Sequence, residues 1–335
     1  MPRPWRFALP TIALLCAMAG AALADPPSQE PPSNIPQVTI QAEREAITEQ
    51  ARQFVGKVTG SSWADADDHP LELWRMPVCP AVAGLPAPQG EFVFKELAHV
   101  MTEAGAPVGK DGCVPNLIVV ATTQPVEFLT AWRKRDKRLF DNTSPSLVKR
   151  FLEQPLPVRV WYNTGLAGED AAVGSLGGGL SGAYLSGGMS GGGMGESGGV
   201  AASAQAQTML GDIPTFRQRY GGTRLSLTAA PDLSSEIVIV DIKQCEGFGW
   251  GALADYIAMI ALTNIDLSTN FDDVPSILAL FKAPADKRQV GLTDWDRAYL
   301  KALYHTERMM RSQREKIRQR MVDEIDRVKT AATTP

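Results

Sequence analysis

The sequence has no excess of positive charge. It contains 33 Lys and Arg against 37 Asp and Glu, which gives a net charge of -4 at pH 7, and its pI is about 5.6. Proteins that bind nucleic acid use a basic surface to neutralise phosphate groups. We therefore expect no nucleic-acid partner.

Histidine is scarce as well. The chain has three histidines, His69, His99 and His305, which lie far apart. Neither an H-x-x-x-H nor a C-x-x-C spacing occurs, and these spacings supply typical zinc sites. No serine is placed at a strand-to-helix elbow, the position of an activated nucleophile. We predict no metal and no cofactor, while a Ser/His/Asp triad built from distant residues stays open.

The overall composition is that of a folded globular protein. Of 335 residues, 44% are hydrophobic and 21% are charged, which are ordinary values. Helical and strand patterns alternate between residues 63 and 164, and this alternation favours a sheet with helices packed on it. The sequence predicts an α+β fold with a mixed sheet, formed by a single domain over residues 41–304.

The N-terminus carries the pattern of a secretory signal peptide. Arg3 and Arg6 precede an apolar run, and a small-residue A-x-A site stands just before Asp25. A membrane anchor is the other interpretation, but the apolar run is short and contains Pro10. Residues 1–24 are therefore predicted to be removed. We expect a periplasmic or secreted protein with no membrane span after cleavage.

Three segments differ in composition from the predicted domain. Residues 25–40 are rich in proline and polar side chains, as in a solvated linker. Residues 165–204 hold about half of the 30 glycines and are predicted to be a disordered insertion. Residues 305–335 form a charged helical extension with a thin apolar stripe. That stripe either rests on a neighbouring element or makes a short coiled-coil contact with a partner or second copy.

Three cysteines remain after the predicted cleavage. Cys79 and Cys113 flank one predicted helix, and each adjoins a loop that contains proline. They are predicted to form a disulfide, which would stabilise the fold by roughly 3–4 kcal/mol. Cys245 follows an apolar strand and is either buried and inert or available for an intermolecular bond; its position favours burial.

The segment GWGALADYIAMIALTN, residues 249–264, follows the outline of a zinc-protease helix. Laid against the pattern H-E-x-x-H-x-x-G-x-x-H, the ligand positions hold Ala254, Ala258 and Asn264. Asp255 stands where the pattern has its general-base glutamate. The outline is therefore present without any of the histidine ligands.

Two later segments continue this resemblance. VPSILALF resembles the turn that follows the metal helix in metzincin-type zinc proteases, and GLTDWDRAYLKALY resembles their C-terminal helix. The last third of the mature chain thus resembles a degenerate zincin core. The whole mature chain also resembles an uncharacterised group of exported bacterial proteins, with no activity to transfer.

The resemblance implies a fold without its metal. Alanine has no donor atoms, and asparagine is a poor zinc ligand beside histidine. Without a metal-bound water, Asp255 loses the role of general base. Because the helix is apolar nearly all round, we expect it to be a central buried helix held by packing.

Asp255 has two interpretations. It is either a carboxylate in the first turns of the helix, stabilised by the helix dipole and free N–H groups, or a cleft carboxylate with a raised pKa. The first interpretation leads to an exported, non-catalytic pseudo-peptidase, a binding or envelope-associated module for an unknown protein or envelope component. The second leads to an envelope hydrolase that uses carboxylates or an unrecognised triad.

Overall fold

The computed structural model describes residues 35–59, 71–136, 140, 144–168, 229–307 and 313–333. The chain divides into residues 1–42 and residues 43–335, and the fold described here is that of the second unit. The predicted signal peptide lies outside the described residues.

The elements in chain order are α1 Ile35–Thr59, β1 Leu73–Trp74, β2 Pro80–Ala83, α2 Ala87–Ala104, β3 Leu117–Thr122, α3 Pro125–Arg135, α4 Pro145–Glu153, β4 Val158–Gly168, β5 Ala229–Asp241, α5 Trp250–Ala261, α6 Asp294–Tyr304 and α7 Gln313–Thr333. Two short 3-10 turns, Ile277–Ala279 and Ala285–Lys287, lie between α5 and α6. The predicted α+β fold is confirmed.

The sheet has five strands and is mixed. β5 is its centre: it pairs in parallel with β1 and with β3, and antiparallel with β4 along the length of β4. β2 pairs in parallel with β3. β3 reads LIVVAT and is buried on both faces, as expected for a parallel strand covered by helices.

Each face of the sheet packs against its own set of helices. On one face, Val119 and Val238 belong to the larger core, which includes buried residues of α1, α2, α5, α6 and α7. On the other face, Ile118 and Ile237 belong to a smaller core with α3 and α4. Successive strand residues point to opposite faces, so one apolar run supplies both cores.

Several boundaries differ from the sequence expectation. α1 begins at Ile35, so residues 35–40 of the predicted linker are helical. β4 continues through Gly168, four residues into the predicted glycine-rich insertion, because its backbone pairs with β5 up to that point. Residues 169–204 of that insertion lie outside the described part of the chain.

The predicted disulfide is present. Cys79 and Cys113 are bonded, with their Cα atoms 6.0 Å apart. Gly109 lies against this bond, and a Cβ atom there would stand 2.6 Å from the Cys113 Sγ, so only glycine fits. Cys245 is a buried free cysteine, which agrees with the favoured interpretation.

The charged C-terminal extension packs on its own chain. Its apolar stripe is largely buried in the main core, through Ile317, Met321, Val322 and Ile325. Arg44 of α1 forms ion pairs with Asp323 and Asp326 of α7. α7 is thus part of the compact unit, and most of its stripe is already covered.

Candidate functional site

α5 is the central buried helix that the sequence predicts. Every residue from Ala252 to Ala261 is buried. The last carbonyl groups of a helix have no partner within the helix, and here aromatic side chains from three other elements donate to them. The bonds are Tyr162 Oη to Ile260 O at 3.0 Å, Trp74 Nε1 to Ala261 O at 2.6 Å, and Tyr304 Oη to Leu262 O at 2.9 Å. These donors fix the C-terminal end of α5.

The positions aligned with zinc ligands do not form an open site. Ala254 and Ala258 are completely buried. Asn264 lies beyond the end of α5, is exposed, and donates a hydrogen bond to the Glu72 carboxylate. Burial raises the pKa of Glu72 to about 7. Among the described residues, no group of three or more His, Cys, Asp or Glu side chains is arranged to hold a metal.

Asp255 is a buried residue of α5. The helix begins at Trp250, so Asp255 lies in its second turn. Its Oδ2 accepts a hydrogen bond from the Leu292 backbone N–H at 2.7 Å. A Cβ atom at Gly291 would stand 2.7 Å from the same oxygen, so the loop before α6 approaches Asp255 closely.

Glu96 of α2 is the partner that sequence reasoning missed. Burial, followed by the nearby charge of Asp255, raises the pKa of Glu96, while His99 and Arg297 oppose the rise. Arg297 of α6 is itself ion-paired with Glu103 of α2. Two carboxyls that are far apart in the sequence therefore lie near each other between α2 and α5.

The segments VPSILALF and GLTDWDRAYLKALY are joined by one buried carboxylate. Asp296 Oδ1 accepts from Ser276 Oγ at 2.5 Å, and its Oδ2 accepts from the Ile277 N–H at 2.8 Å and the Thr293 N–H at 2.9 Å. Thr293 in turn caps α6. Asp296 thus fixes the 3-10 turn to the start of α6 and has a structural role.

A cavity of about 190 Å³ lies beside the N-terminal half of α5, at the carboxyl ends of β3 and β5. In open α/β sheets, this edge is where ligands commonly bind. Its lining is almost wholly apolar, with Cys245 and Glu246 as the polar side chains. The lining residues are Leu85, Val93, Val119, Ala121, Val240, Ile242, Cys245, Glu246, Gly247, Phe248, Trp250, Leu253 and Ile257.

The thiol of Cys245, which lines this cavity, is a poor nucleophile. Burial, followed by the charge of Asp241, raises the pKa of Cys245 to about 12. Since the thiolate is the nucleophilic form of cysteine, the protonated thiol behaves as a small apolar group near neutral pH. The cavity therefore provides apolar contacts to a ligand and not a reactive thiol.

Aromatic rings stand at the edge of the cavity. Phe248 packs edge-on against Phe281 with ring centroids 5.0 Å apart, and the guanidinium of Arg288 lies 4.4 Å over the Phe248 ring. Trp250, the first residue of α5, is 40% exposed. Aromatic groups of this kind provide large apolar contact area for a ligand.

One further carboxyl lies in the main core. Glu236 of β5 is fully buried, and neither of its carboxyl oxygens has a partner among the described residues. Burial raises the pKa of Glu236 well above its usual range. Its neighbour across the sheet is Tyr162, whose hydroxyl donates to α5. Burial therefore favours the neutral acid form of Glu236.

Comparison with protein-family models, with curated proteins and with solved structures finds no match to this chain. Among the described helices, none has the length and apolar character needed to cross a membrane. The geometry of the chain itself is therefore the basis for assigning a function.

Proposed function

We propose that this chain is an exported, non-catalytic binding protein, a pseudo-peptidase whose apolar cavity takes a small apolar ligand. The observation that carries the proposal is the lining of the cavity, in which the polar side chains are a protonated thiol and Glu246. Ligand sites are typically concave and mostly apolar, with few polar groups. An unknown protein or envelope component that presents such a group is the partner we infer.

The size of the cavity limits the ligand. An engineered apolar cavity of roughly 150 Å³ stays dry and binds benzene. The volume of about 190 Å³ found here therefore suits an aromatic ring with a small substituent, or a short branched aliphatic group. Each methylene group buried there contributes about 0.8 kcal/mol to binding.

Two further observations support the absence of catalysis and the export. The positions that would bind zinc are the buried side chains of Ala254 and Ala258, which have no donor atoms. The bond between Cys79 and Cys113 fits an oxidising compartment, where disulfides persist. It agrees with the signal peptide expected at the N-terminus.

Binding of indole to the purified protein tests this proposal. Indole is uncharged and carries a ring system of suitable size. We expect saturable binding by calorimetry in the protein as isolated. The variant Ala121→Leu fills part of the cavity from β3 and should abolish binding without loss of stability, because space for the added atoms exists.

Ala83→Leu is the matched control. Ala83 pairs with Val120 in the register of β2 and β3 and packs against the smaller core on the other face of the sheet. The same substitution there should leave indole binding intact. Equal binding by the Ala121→Leu variant and the unmodified protein would contradict the proposal.

A hydrolase that uses carboxylates is the second candidate, and the contact between Glu96 and Asp255 favours it. A titratable group whose pKa is perturbed, as that of Glu96 is, is a candidate for a catalytic site. The test is hydrolysis of peptide and glycan substrates by the unmodified protein and by Glu96→Gln. Activity that disappears in the variant would support the hydrolase and contradict a purely binding role.

A further inference from the structure

The lining of the apolar cavity contains a single charged side chain, the carboxylate of Glu246. Glu246 is exposed and lies in the turn between β5 and α5, so it stands at the open rim of the cavity. In the described part of the chain it takes part in no ion pair and no side-chain hydrogen bond. The rim therefore presents a carboxylate that is available to a ligand.

The charge felt by the cavity wall is negative as well. Asp241, the last residue of β5, adds through its charge to the effect of burial on the pKa of Cys245, a lining residue. Arg159 is the cation that interacts with Asp241. It pairs in register with Ile239, which belongs to the smaller core on the other face of the sheet. No cationic side chain lines the cavity itself.

A buried amide oxygen near the same wall lacks a donor. Gln89 Oε1 is buried, and no hydrogen-bond partner for it occurs among the described residues. Gln89 stands one turn before Val93 on α2, and side chains at this spacing share one face of a helix. Leu85 and Val93, on either side of Gln89 in the sequence, both line the cavity. A hydrogen-bond acceptor on this face of α2 is thus left for a donor from elsewhere.

Arg288, the cation at the edge of the cavity, is held by other groups. Its guanidinium lies 4.4 Å over the Phe248 ring, and its Nε donates to the Ala283 carbonyl oxygen at 3.2 Å. Trp250 also lines the cavity and is 40% exposed. Because aromatic faces attract cations, a cationic ligand group at the rim would meet an aromatic ring as well as the Glu246 carboxylate.

We propose that the ligand of this cavity is a small primary amine, with its apolar group in the cavity and its ammonium group paired with Glu246 at the rim. This inference rests on the ligand-binding function proposed above and names the chemical class of the ligand. An ammonium group carries three donors and no acceptor, which suits a carboxylate. A ligand carboxylate at the same place would be repelled by Glu246.

The start of α5 is the feature that would favour an anion. The first N–H groups of a helix attract negative charge, and no side chain caps α5 at Gly249. The start of a helix is equivalent to roughly half an elementary charge, whereas an ionised carboxylate carries a full one. Gly249 and Trp250 are also exposed, so water screens these N–H groups. The balance at the rim therefore favours a cation.

Calorimetry at pH 7 with indole, tryptamine and indole-3-propionate tests the proposal, because the three probes share one ring system and differ in charge. We expect tryptamine to bind about fivefold more tightly than indole, which corresponds to about 1 kcal/mol, the upper range for exposed ion pairs. Indole-3-propionate should bind more weakly than indole. Equal Kd values for the three would overturn the amine proposal and leave the apolar cavity function intact, whereas no binding of any probe would contradict the proposed function.

Two substitutions of Glu246 test its role. Glu246→Gln should remove the preference for tryptamine over indole, and Glu246→Lys should reverse it, so that indole-3-propionate binds more tightly than tryptamine. Since Glu246 is exposed, both variants should fold, and thermal unfolding checks this. A preference for tryptamine that persists unchanged in both variants would overturn the pairing.

Glu127→Gln is the matched control for the loss of one negative charge. Glu127 is exposed in the first turn of α3, a helix that packs in the smaller core on the other face of the sheet. This variant should keep the fivefold preference, and an equal loss of preference in Glu127→Gln and Glu246→Gln would show that only net charge matters.

Ala121→Leu, which fills the cavity, should abolish tryptamine binding as well as indole binding. Tryptamine binding that survives this substitution would place the amine outside the cavity and overturn the proposal.

Discussion

Trp74 donates its indole N–H to the carbonyl oxygen of Ala261 at 2.6 Å, which ties the short strand β1 to the C-terminal end of α5. Both residues are buried. Hydrogen bonds from Trp74, Tyr162 and Tyr304 hold the C-terminal end of α5. Apolar packing buries most of the rest of the helix.

Trp74→Phe should destabilise the protein by about 1–3 kcal/mol, because a buried carbonyl then has no donor and part of the ring volume is lost. Urea unfolding followed by circular dichroism measures the effect. Trp250→Phe is the control: Trp250 is 40% exposed, and its substitution should change stability by less than about 0.5 kcal/mol. Equal effects of both substitutions would contradict the anchoring role.

Ala258→His should destabilise the protein without creating zinc binding. Ala258 is completely buried, and a ring inserted into a filled core destabilises by about 1–3 kcal/mol or more. A lone imidazole cannot complete a site that needs three ligands. Thermal unfolding with and without zinc measures both effects.

Val290→His is the control for this experiment, because Val290 is 91% exposed and should tolerate the ring. The unmodified protein should contain well under one zinc per chain. Stoichiometric zinc that resists mild chelation would overturn the pseudo-enzyme interpretation.

Replacing Cys79 and Cys113 together by serine should lower stability by roughly 3–4 kcal/mol, since the unfolded chain regains the freedom that the bond removed. Cys245 should react with iodoacetamide only on unfolding, because its thiol is buried and its pKa is about 12. Peptide mapping without reduction tests the pairing, and a peptide that links Cys245 to either partner would refute it.

Glu236→Gln should reduce the loss of stability with rising pH. Burial raises the pKa of Glu236, so between its unfolded and folded pKa values the folded state holds one more proton. Stability then falls by up to about 1.4 kcal/mol per pH unit. Gln does not titrate, so this part of the slope disappears. Unfolding free energies at pH 5 and pH 8 give the comparison, and identical slopes would show that Glu236 is ionised when folded.

Sequence patterns predicted the features that depend on local spacing. The apolar residues around all sides of α5 predicted the buried helix that the structure shows. Ala254 and Ala258 predict that no metal binds there, since alanine has no donor atom. The positions of Cys79 and Cys113 indicated their pairing, because each lies in a loop beside the same helix. The zincin resemblance and the export of the chain stay predictions.

Tertiary structure alone decided the contacts that join distant segments. β1 has two residues and β2 has four, too few for a periodic pattern, and both form because β5 and β3 offer free edges. Nothing in the local sequence distinguishes Glu96 from a surface glutamate of α2. Only the packing of α2 on α5 brings it near Asp255. The cavity likewise arises from how strand ends and helices meet. Local sequence sets which side chains a helix buries, whereas long-range packing sets which groups those side chains face.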